Sequence, residues 1–263
     1  MKFSIITICY NPGPVLRSAL ESVLGQSYDG VEYLVVDGGS TDGTVEMLAT
    51  LADTLPKIRF VSEPDDGLYD ALNKGVAMAT GDVIGFVHAD DFLAHPDVLK
   101  NIAAKFEESG ADAVYGDLQY VAQKESSEDD FKVIRHWVSG EYDRKNLKWG
   151  WMPPHPSLYL KRSVYQQAKM DNGEYFNTGF SCAADYDFMM RVLSKLDIAP
   201  VYHPEVLVKM RVGGVSNRSL KHILTKSLED WHAIRCNRIG HAHTLVWKNL
   251  RKLKQFIPSA AKA

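Results

Sequence analysis

Two acidic residues, Asp90 and Asp91, directly follow the apolar run Val83-Ile-Gly-Phe-Val and the dipeptide His88-Ala89. Unpaired charge beside a buried strand is penalised by desolvation, so a cation is expected nearby. A hard divalent ion, Mg²⁺ or Mn²⁺, takes carboxylate oxygen and fills the rest of its shell with water and substrate phosphates. The plainer alternative is that Asp91 caps a helix beginning near Pro96, or that both acids are solvated. An earlier carboxylate, Asp37, ends Val31-Glu-Tyr-Leu-Val-Val and precedes Gly-Gly-Ser-Thr-Asp-Gly-Thr. It can accept an N–H from a base or a hydroxyl from a ribose; equally, Asp37 and Asp42 can close a turn and cap a helix from Thr44. Farther along, Trp149, Trp151, His155 and Tyr159 offer broad ring faces with polar tips, suited to a ring or an apolar chain of a ligand as well as to core packing.

These residues need a scaffold, and the apolar pattern supplies one. Short apolar runs at 3–9, 31–37, 58–62, 82–87 and 112–117 alternate with helical patterns at Pro14–Gln26, Thr44–Thr54, Leu68–Ala79 and Pro96–Ser109. That βαβα rhythm predicts an α/β fold with a mainly parallel sheet and right-handed crossovers. Ligands of such sheets bind beyond the carboxyl ends of the strands, where Asp37 and Asp90 fall. The first strand leads into Thr7-Ile-Cys-Tyr-Asn-Pro-Gly, not a Gly-x-Gly-x-x-Gly turn, and no Walker A sequence occurs, which argues against dehydrogenase and P-loop chemistry. Alternation is lost after 118: a polar stretch, Gln123–Asp130, precedes a β-like segment Phe131–Val138 and the Trp149-Gly-Trp-Met-Pro-Pro-His-Pro segment. A helix at 184–196 and two short strands near 198–203 and 205–212 are expected next.

The chain of 263 residues is 45% apolar and carries a net charge of −3, which excludes disorder and any general attraction for nucleic acid. Its three cysteines are widely separated and lack metal-site spacing, as suits a reducing cytoplasm. The N-terminal apolar run is too short for a signal h-region, and no run of 18 apolar residues occurs. From Arg218 onward, ten Lys/Arg face only Glu229 and Asp230, leaving −11 on the first 217 residues. Leu220, Ile223, Leu224, Leu228, Trp231 and Ile234, then Val246, Leu250, Leu253 and Ile257, recur at helical spacing. Two amphipathic helices are expected there, either covering the core with their apolar stripe or docking on an anionic inner leaflet.

Five ordered segments, Ser4-Ile-Ile-Thr-Ile-Cys-Tyr-Asn, Val36-Asp-Gly-Gly-Ser-Thr-Asp-Gly-Thr, Asp66-Gly-Leu-Tyr-Asp-Ala-Leu-Asn-Lys-Gly, Thr80-Gly-Asp-Val-Ile-Gly-Phe-Val-His-Ala-Asp-Asp and Ala184-Asp-Tyr-Asp-Phe-Met-Met-Arg, resemble the inverting family 2 glycosyltransferases of GT-A fold. The likeness covers roughly residues 1–215. The third segment, with Pro154-His-Pro-Ser-Leu-Tyr, resembles the branch that assembles bacterial exopolysaccharide or O-antigen units. The resemblance implies that Thr7 and Tyr10 line the nucleobase pocket, that Asp37 binds uracil or ribose, and that His88-Ala89-Asp90 stands at the family's Asp-x-Asp, with Asp90 as the direct metal ligand. His88 departs from that pattern, although a neutral imidazole can still bond a ribose hydroxyl. Asp185 matches the catalytic base, with Ala184 where the family often has a glutamate; a helix N-terminal carboxylate that stabilises its helix is the alternative. Lys74 and Asp66 are expected at phosphate or base, with Lys74 equally able to be a solvated helix lysine, and Trp151 and His155 at the acceptor. Asp187 and Arg191 should pair at i, i+4.

The expected organisation is a nucleotide-sugar-binding half at 1–120, an acceptor-binding half at 121–217 and a basic helical tail at 218–263. The expected activity is metal-dependent, inverting transfer from a UDP-sugar to a hydroxyl of a polyprenyl-diphosphate-linked oligosaccharide, by a cytoplasmic protein peripheral at the inner face of the membrane. A non-catalytic glycan- or nucleotide-binding module and a sugar-nucleotide nucleotidyltransferase are the rivals. The latter lacks its lysine-containing glycine-rich turn after the first strand.

Overall fold

The apolar runs become strands buried on both faces, as parallel sheets require. The computed structural model describes residues 1–124, 127–212 and 220–256. Strands β1 (Phe3–Cys9), β2 (Val31–Asp37), β3 (Ile58–Ser62) and β4 (Val83–Phe86) lie parallel in the order β3-β2-β1-β4. Among the described residues the sheet has nine strands and continues from β4 through β8 (Leu158–Lys161), β6 (Ala113–Lys124), β9 (Pro200–Arg211) and β5 (Asp91–Leu93), with β7 (Ser127–Trp137) paired to β6. Strands β8, β7 and β5 run antiparallel to their neighbours, so the sheet is mixed.

Alternate residues of β1 enter two separate cores. Phe3, Ile5 and Cys9 pack with α1 (Leu16–Leu24) and α4 (Val98–Ser109); Ile6 and Ile8 pack with α3 (Leu68–Met78) and α6 (Ala184–Lys195). Helix α2 (Thr44–Thr54) follows β2, and α5 (Arg162–Ala168) follows β8. Gly75 lets α3 approach the sheet, because a Cβ there would lie 2.6 Å from Ile6.

Several expected boundaries move. The fifth strand does not stop at 117 but runs to Lys124, and β7 pairs with it across the expected polar loop. That outer ribbon is half-exposed, so polar residues occupy one face and mask the strand pattern. The two strands expected near 198–203 and 205–212 form one, β9, whose pairing with β6 shifts register around Asp117. Strands β5 and β8 and helix α5, three to seven residues long, are too short for their period to show in the sequence. The division expected at 120 falls inside β6.

The two tail helices are α7 (Leu220–Asn237) and α8 (Ala242–Lys254). Asn237 of α7 donates to Asp187 of α6 at 2.7 Å, and α8 sits on Gly150, where a Cβ would meet the Lys248 backbone nitrogen at 2.3 Å. Gly150 also has φ +71°, so any other residue there is strained twice over. The stretch 213–219 and position 257 lie outside the described residues.

At the amino ends of the strands the buried carboxylate of Glu32 accepts from Ser4 Oγ, Thr80 N, Thr80 Oγ1 and Lys2 Nζ, tying β1, β2 and the lead into β4. Burial alone would raise its pKa, but those donors overcome it and hold the carboxyl at about 2 instead of 4.5. The charged form is therefore the one the fold stabilises, and this contribution is present above pH 4.5 and drains away as pH falls toward 2. Glu32→Gln should cost about 1.5–3 kcal/mol at pH 7 and flatten the loss of stability between pH 4.5 and 2, as read by urea melts across that range.

Candidate active site

The site lies at the carboxyl ends of β1, β2 and β4, where the loops are laced together before any ligand arrives. Asn11 N donates to Ser40 Oγ, Thr41 N to Asn11 Oδ1, and Gly13 N to Asp42. Asp42 also accepts from Thr44 N and Oγ1, so it opens α2 as a turn-closing acid. Asp37 is fully buried and accepts from Gly39 N, Ser40 N, Ser40 Oγ, Ser62 Oγ and, at 3.5 Å, Cys9 Sγ. Burial opposes its ionisation, yet the donors from Ser40, Ser62 and Cys9 hold its carboxyl below the ordinary range. Its acceptor capacity is taken up inside the protein, which makes it the organiser of the turn.

Thr7 is likewise enclosed: its hydroxyl lies 2.9 Å from Tyr33 OH and donates to the Val87 carbonyl. Tyr10, in contrast, is 67% exposed. Beside it stands an acid that sequence reasoning missed. A Cβ on Gly38 would lie 2.6 Å from Asp65 Oδ2 and 3.4 Å from the Tyr10 ring, so Asp65 fills the space that a side chain at 38 would take. Its other oxygen accepts from Gly67 N. The pair Gly38 and Asp65 was the available signal: a glycine at a strand end, with an acid at the end of the adjacent strand. Asp66, next to Asp65, is exposed. Lys74 bridges Glu63 at 3.0 Å and Asp70 at 3.2 Å and donates to the Pro64 carbonyl, so its charge is spent on ordering the β3–α3 loop.

On the other side of the site, Asp185 stands in the first turn of α6 and accepts from Tyr69 OH of α3 at 3.3 Å. Both Asp185 and Asp90 act electrostatically on His88 at the end of β4, whose imidazole is pushed down in pKa by burial and drawn up by the two acids. His155 lies 6.2 Å from His88 between Phe86 and Phe176; burial brings it to about 4 against the pull of Asp185. Its Nε2 has no partner. Asp185 therefore acts on both His88 and His155, and Asp90 on His88. Asp91 is fully buried in β5 with no hydrogen-bond partner recorded for either carboxyl oxygen, and it is driven well above the carboxylate range by burial and by Asp90, with Arg211 opposing. It is neither the cap expected near Pro96 nor a solvated acid.

The aromatic group divides. Trp151 is core, its Nε1 donating to the Ser139 carbonyl and its ring edge-on to Tyr115. Tyr159 packs beneath Gly85, where a Cβ would clash with its ring at 2.4 Å. Trp149 stands at the surface against α8, and His155 is buried within the electrostatic reach of Asp185.

Among the described residues Asp90 has no hydrogen-bond or ion-pair partner, and no three His, Cys, Asp or Glu side chains gather around one point. One uncommitted hard oxygen donor fits an Mg²⁺ or Mn²⁺ whose other ligands come from a diphosphate and water, not a closed structural site.

Two braces keep Asp185 in place. Asn73 of α3 receives the Tyr175 and Phe176 N–H groups and donates to the Phe176 carbonyl. Glu229 of α7 accepts from Ser181 N and Cys182 N, immediately before α6. The expected Asp187–Arg191 pair forms at 3.0 Å, and Arg191 also donates to the Ala168 and Tyr175 carbonyls. Tyr69 and Asn73, at i and i+4 on α3, were present in the quoted segment without an assigned role.

The family described as Glycosyl transferase family 2 matches residues 4–180. A "PGL/p-HBAD biosynthesis glycosyltransferase" of Mycobacterium bovis is 32% identical over 224 residues, covering 82% of this chain and 79% of the relative. An uncharacterized glycosyltransferase of Nostoc sp. is 31% identical over 64% of this chain and 53% of its own length. The fold is similar to S. aureus TarS 1-349 in complex with UDP-GlcNAc, with TM-score 0.66 and 21% identity over 91% of this chain and 66% of that one; the chain spans 39% of the longer TarS structure. It is also similar to the mannosyltransferase PcManGT of Pyrobaculum calidifontis in complex with GDP-Man and Mn²⁺, with TM-score 0.60 and 19% identity over 95% of this chain and 73% of that one. The fold class is that of these GT-A enzymes.

Glu229→Ala should free the loop before α6 and lower kcat about tenfold, because a small misplacement of a reacting group is costly, while leaving the donor KM within about twofold. Steady-state nucleoside diphosphate release, with a melting curve to confirm folding, checks this.

Proposed function

Because the chain belongs to glycosyl transferase family 2, and is therefore a glycosyltransferase, we propose that it transfers a sugar with inversion from a UDP-sugar to a hydroxyl of a polyprenyl-diphosphate-linked oligosaccharide in bacterial surface polysaccharide assembly, at the inner face of the membrane. The observation that supports this is that Asp185 opens α6 with one oxygen taken by Tyr69 of α3 at 3.3 Å, while Asp90, just after β4, has no hydrogen-bond or ion-pair partner among the described residues.

Inverting transfer needs a base on the acceptor hydroxyl and stabilisation of the charge that grows on the leaving diphosphate, on opposite faces of the sugar. Asp185 is the base. Tyr69 occupies one of its oxygens and orients the carboxylate, and the second oxygen receives the acceptor proton. Asp90 would hold the cation, and an Mg²⁺ or Mn²⁺ bound there would supply Lewis-acid stabilisation of the departing diphosphate. His88 offers a ring nitrogen to a ribose hydroxyl, and His155 lines the acceptor side. Tyr10 provides a face for the base, and Asp65 beside it accepts a base N–H, while Thr7, Asp37 and Lys74 support these groups from within. The UDP-GlcNAc complex of TarS and the GDP-Man and Mn²⁺ complex of PcManGT support a nucleotide-sugar donor and a divalent ion. The name of the mycobacterial relative specifies no sugar. No described helix is long and apolar enough to cross a membrane.

Purified protein should release nucleoside diphosphate only with Mn²⁺ or Mg²⁺, lose activity in EDTA and regain it on metal addition. Asp90→Ala and Asp185→Asn should each lower turnover by on the order of 10³-fold with an unchanged melting curve, and full activity in Asp185→Asn would remove the base. A panel of nucleotide sugars identifies the donor. Asp65→Asn should raise the KM of that donor about tenfold, since a charge-assisted hydrogen bond is roughly twice as strong as a neutral one, with kcat within about twofold.

A further inference from the structure

Helix α8 divides its apolar side chains between two faces. On the inner face Leu245 packs against the core, and Lys248, half-buried, lies with Nζ 2.6 Å from Asp230 of α7 and 3.3 Å from the centre of the Tyr186 ring. Burial lowers its pKa to about 8, opposed by Asp230. On the outer face Val246, Trp247, Leu250 and Leu253 are 56, 45, 45 and 64% exposed. With His243 they follow i, i+3, i+4, i+7 and i+10, one stripe of a helix. Leu224 and Leu228 of α7 are exposed as well. An apolar stripe turned outward while a lysine is turned inward is the reverse of what water favours.

Beside that stripe lies a cavity of about 530 Å³ lined by Lys148, Arg235, Arg238, His241 and His243, with no acid in its wall. Among the described residues none of the three fixed cations has a carboxylate within ion-pair distance; Lys148 and Arg235 lie near tryptophan rings instead, at 5.9 and 5.7 Å. The cavity and the stripe are continuous, because His243 lines the first and packs against Trp149 at 5.3 Å, and Trp149 meets Trp247 at 6.2 Å. Cations without counter-charges next to exposed tryptophan and leucine match an anionic bilayer surface, where phosphate meets hydrocarbon.

We infer that the outer face of α8 lies in an anionic lipid surface and that the cavity between Lys148, Arg235 and Arg238 receives a lipid phosphate. This site deepens the surface-attached reading above and rests on it, while the sugar-transfer chemistry is independent of it.

The experiment is flotation of the full chain with phosphatidylcholine vesicles and with vesicles containing 30% phosphatidylglycerol, at about 0.1 M salt, where screening is moderate. Recovery at least tenfold higher with the anionic vesicles, falling in about 0.5 M salt, is expected. Arg235→Glu/Arg238→Glu and, separately, Leu250→Ser/Leu253→Ser should each reduce that recovery at least fivefold; both pairs are exposed, and metal-dependent nucleotide release should stay within twofold of the parent. Equal recovery from both vesicle types, or charge-reversed protein that floats like the parent, overturns the inference. So does a melting temperature raised by millimolar inorganic phosphate without flotation, which would mark the cavity as a site for free phosphate. A dimer that Leu250→Ser/Leu253→Ser dissociates, again without flotation, would assign the stripe to a second copy and overturn it too. Nucleotide release without flotation sinks this inference alone; flotation without nucleotide release sinks the transfer reading alone.

Discussion

The two acids that act on the His88 imidazole come from distant parts of the chain, and much of this structure fixes where each of them stands. Asp90 follows β4, whose position is set by pairing with β1 and β8. Asp185 opens α6, and α6 is gripped from α3 through Tyr69, holds the 175–176 loop through Arg191 and is gripped from α7 through Asn237. The loop leading into α6 is anchored by Glu229. Cooperation between a sheet built from the first half of the chain and helices built from the second half is therefore a requirement of the site.

The acids of the chain differ less in position than in how many donors surround them. Asp37, Asp42 and Glu32 are saturated by backbone N–H groups, hydroxyls and, for Glu32, a lysine, and they organise turns and strand ends. Asp91 is buried without such donors and is driven toward its neutral form. Asp90 and Asp65 keep free acceptor capacity at the surface of the site. A carboxylate that has spent its lone pairs inside the protein has little left for a ligand, which is why the donor census separates binding acids from structural ones.

The C-terminal pair serves two directions at once. Inward, α7 braces α6 through Asn237 and Glu229, and α8 rests on Gly150 and pairs Lys248 with Asp230. Outward, α8 leaves large apolar side chains in contact with water. Fully burying a Leu or Val contributes about 1.5–3 kcal/mol, so the orientation is held by the buried ion pair and the close backbone contact at Gly150, against the preference of the stripe itself.

Composition and period determined the α/β class, the first four strands, helices α1, α2, α3, α4 and α6 and the presence of two amphipathic helices at the end of the chain, because these depend on local pattern repeated over many residues; the family resemblance rested instead on five motifs in order. They also placed Asp90 and Asp185 at a strand end and a helix start. Tertiary structure alone decided which acids remain available, that Trp151 and Tyr159 are core, that Lys74 is tied to Glu63 and Asp70, and that α8 turns Leu250 and Leu253 outward. Those outcomes turn on which distant donor or ring fills the space beside a side chain. An amphipathic pattern fixes that a helix has two faces, but the surroundings decide which of them meets the core.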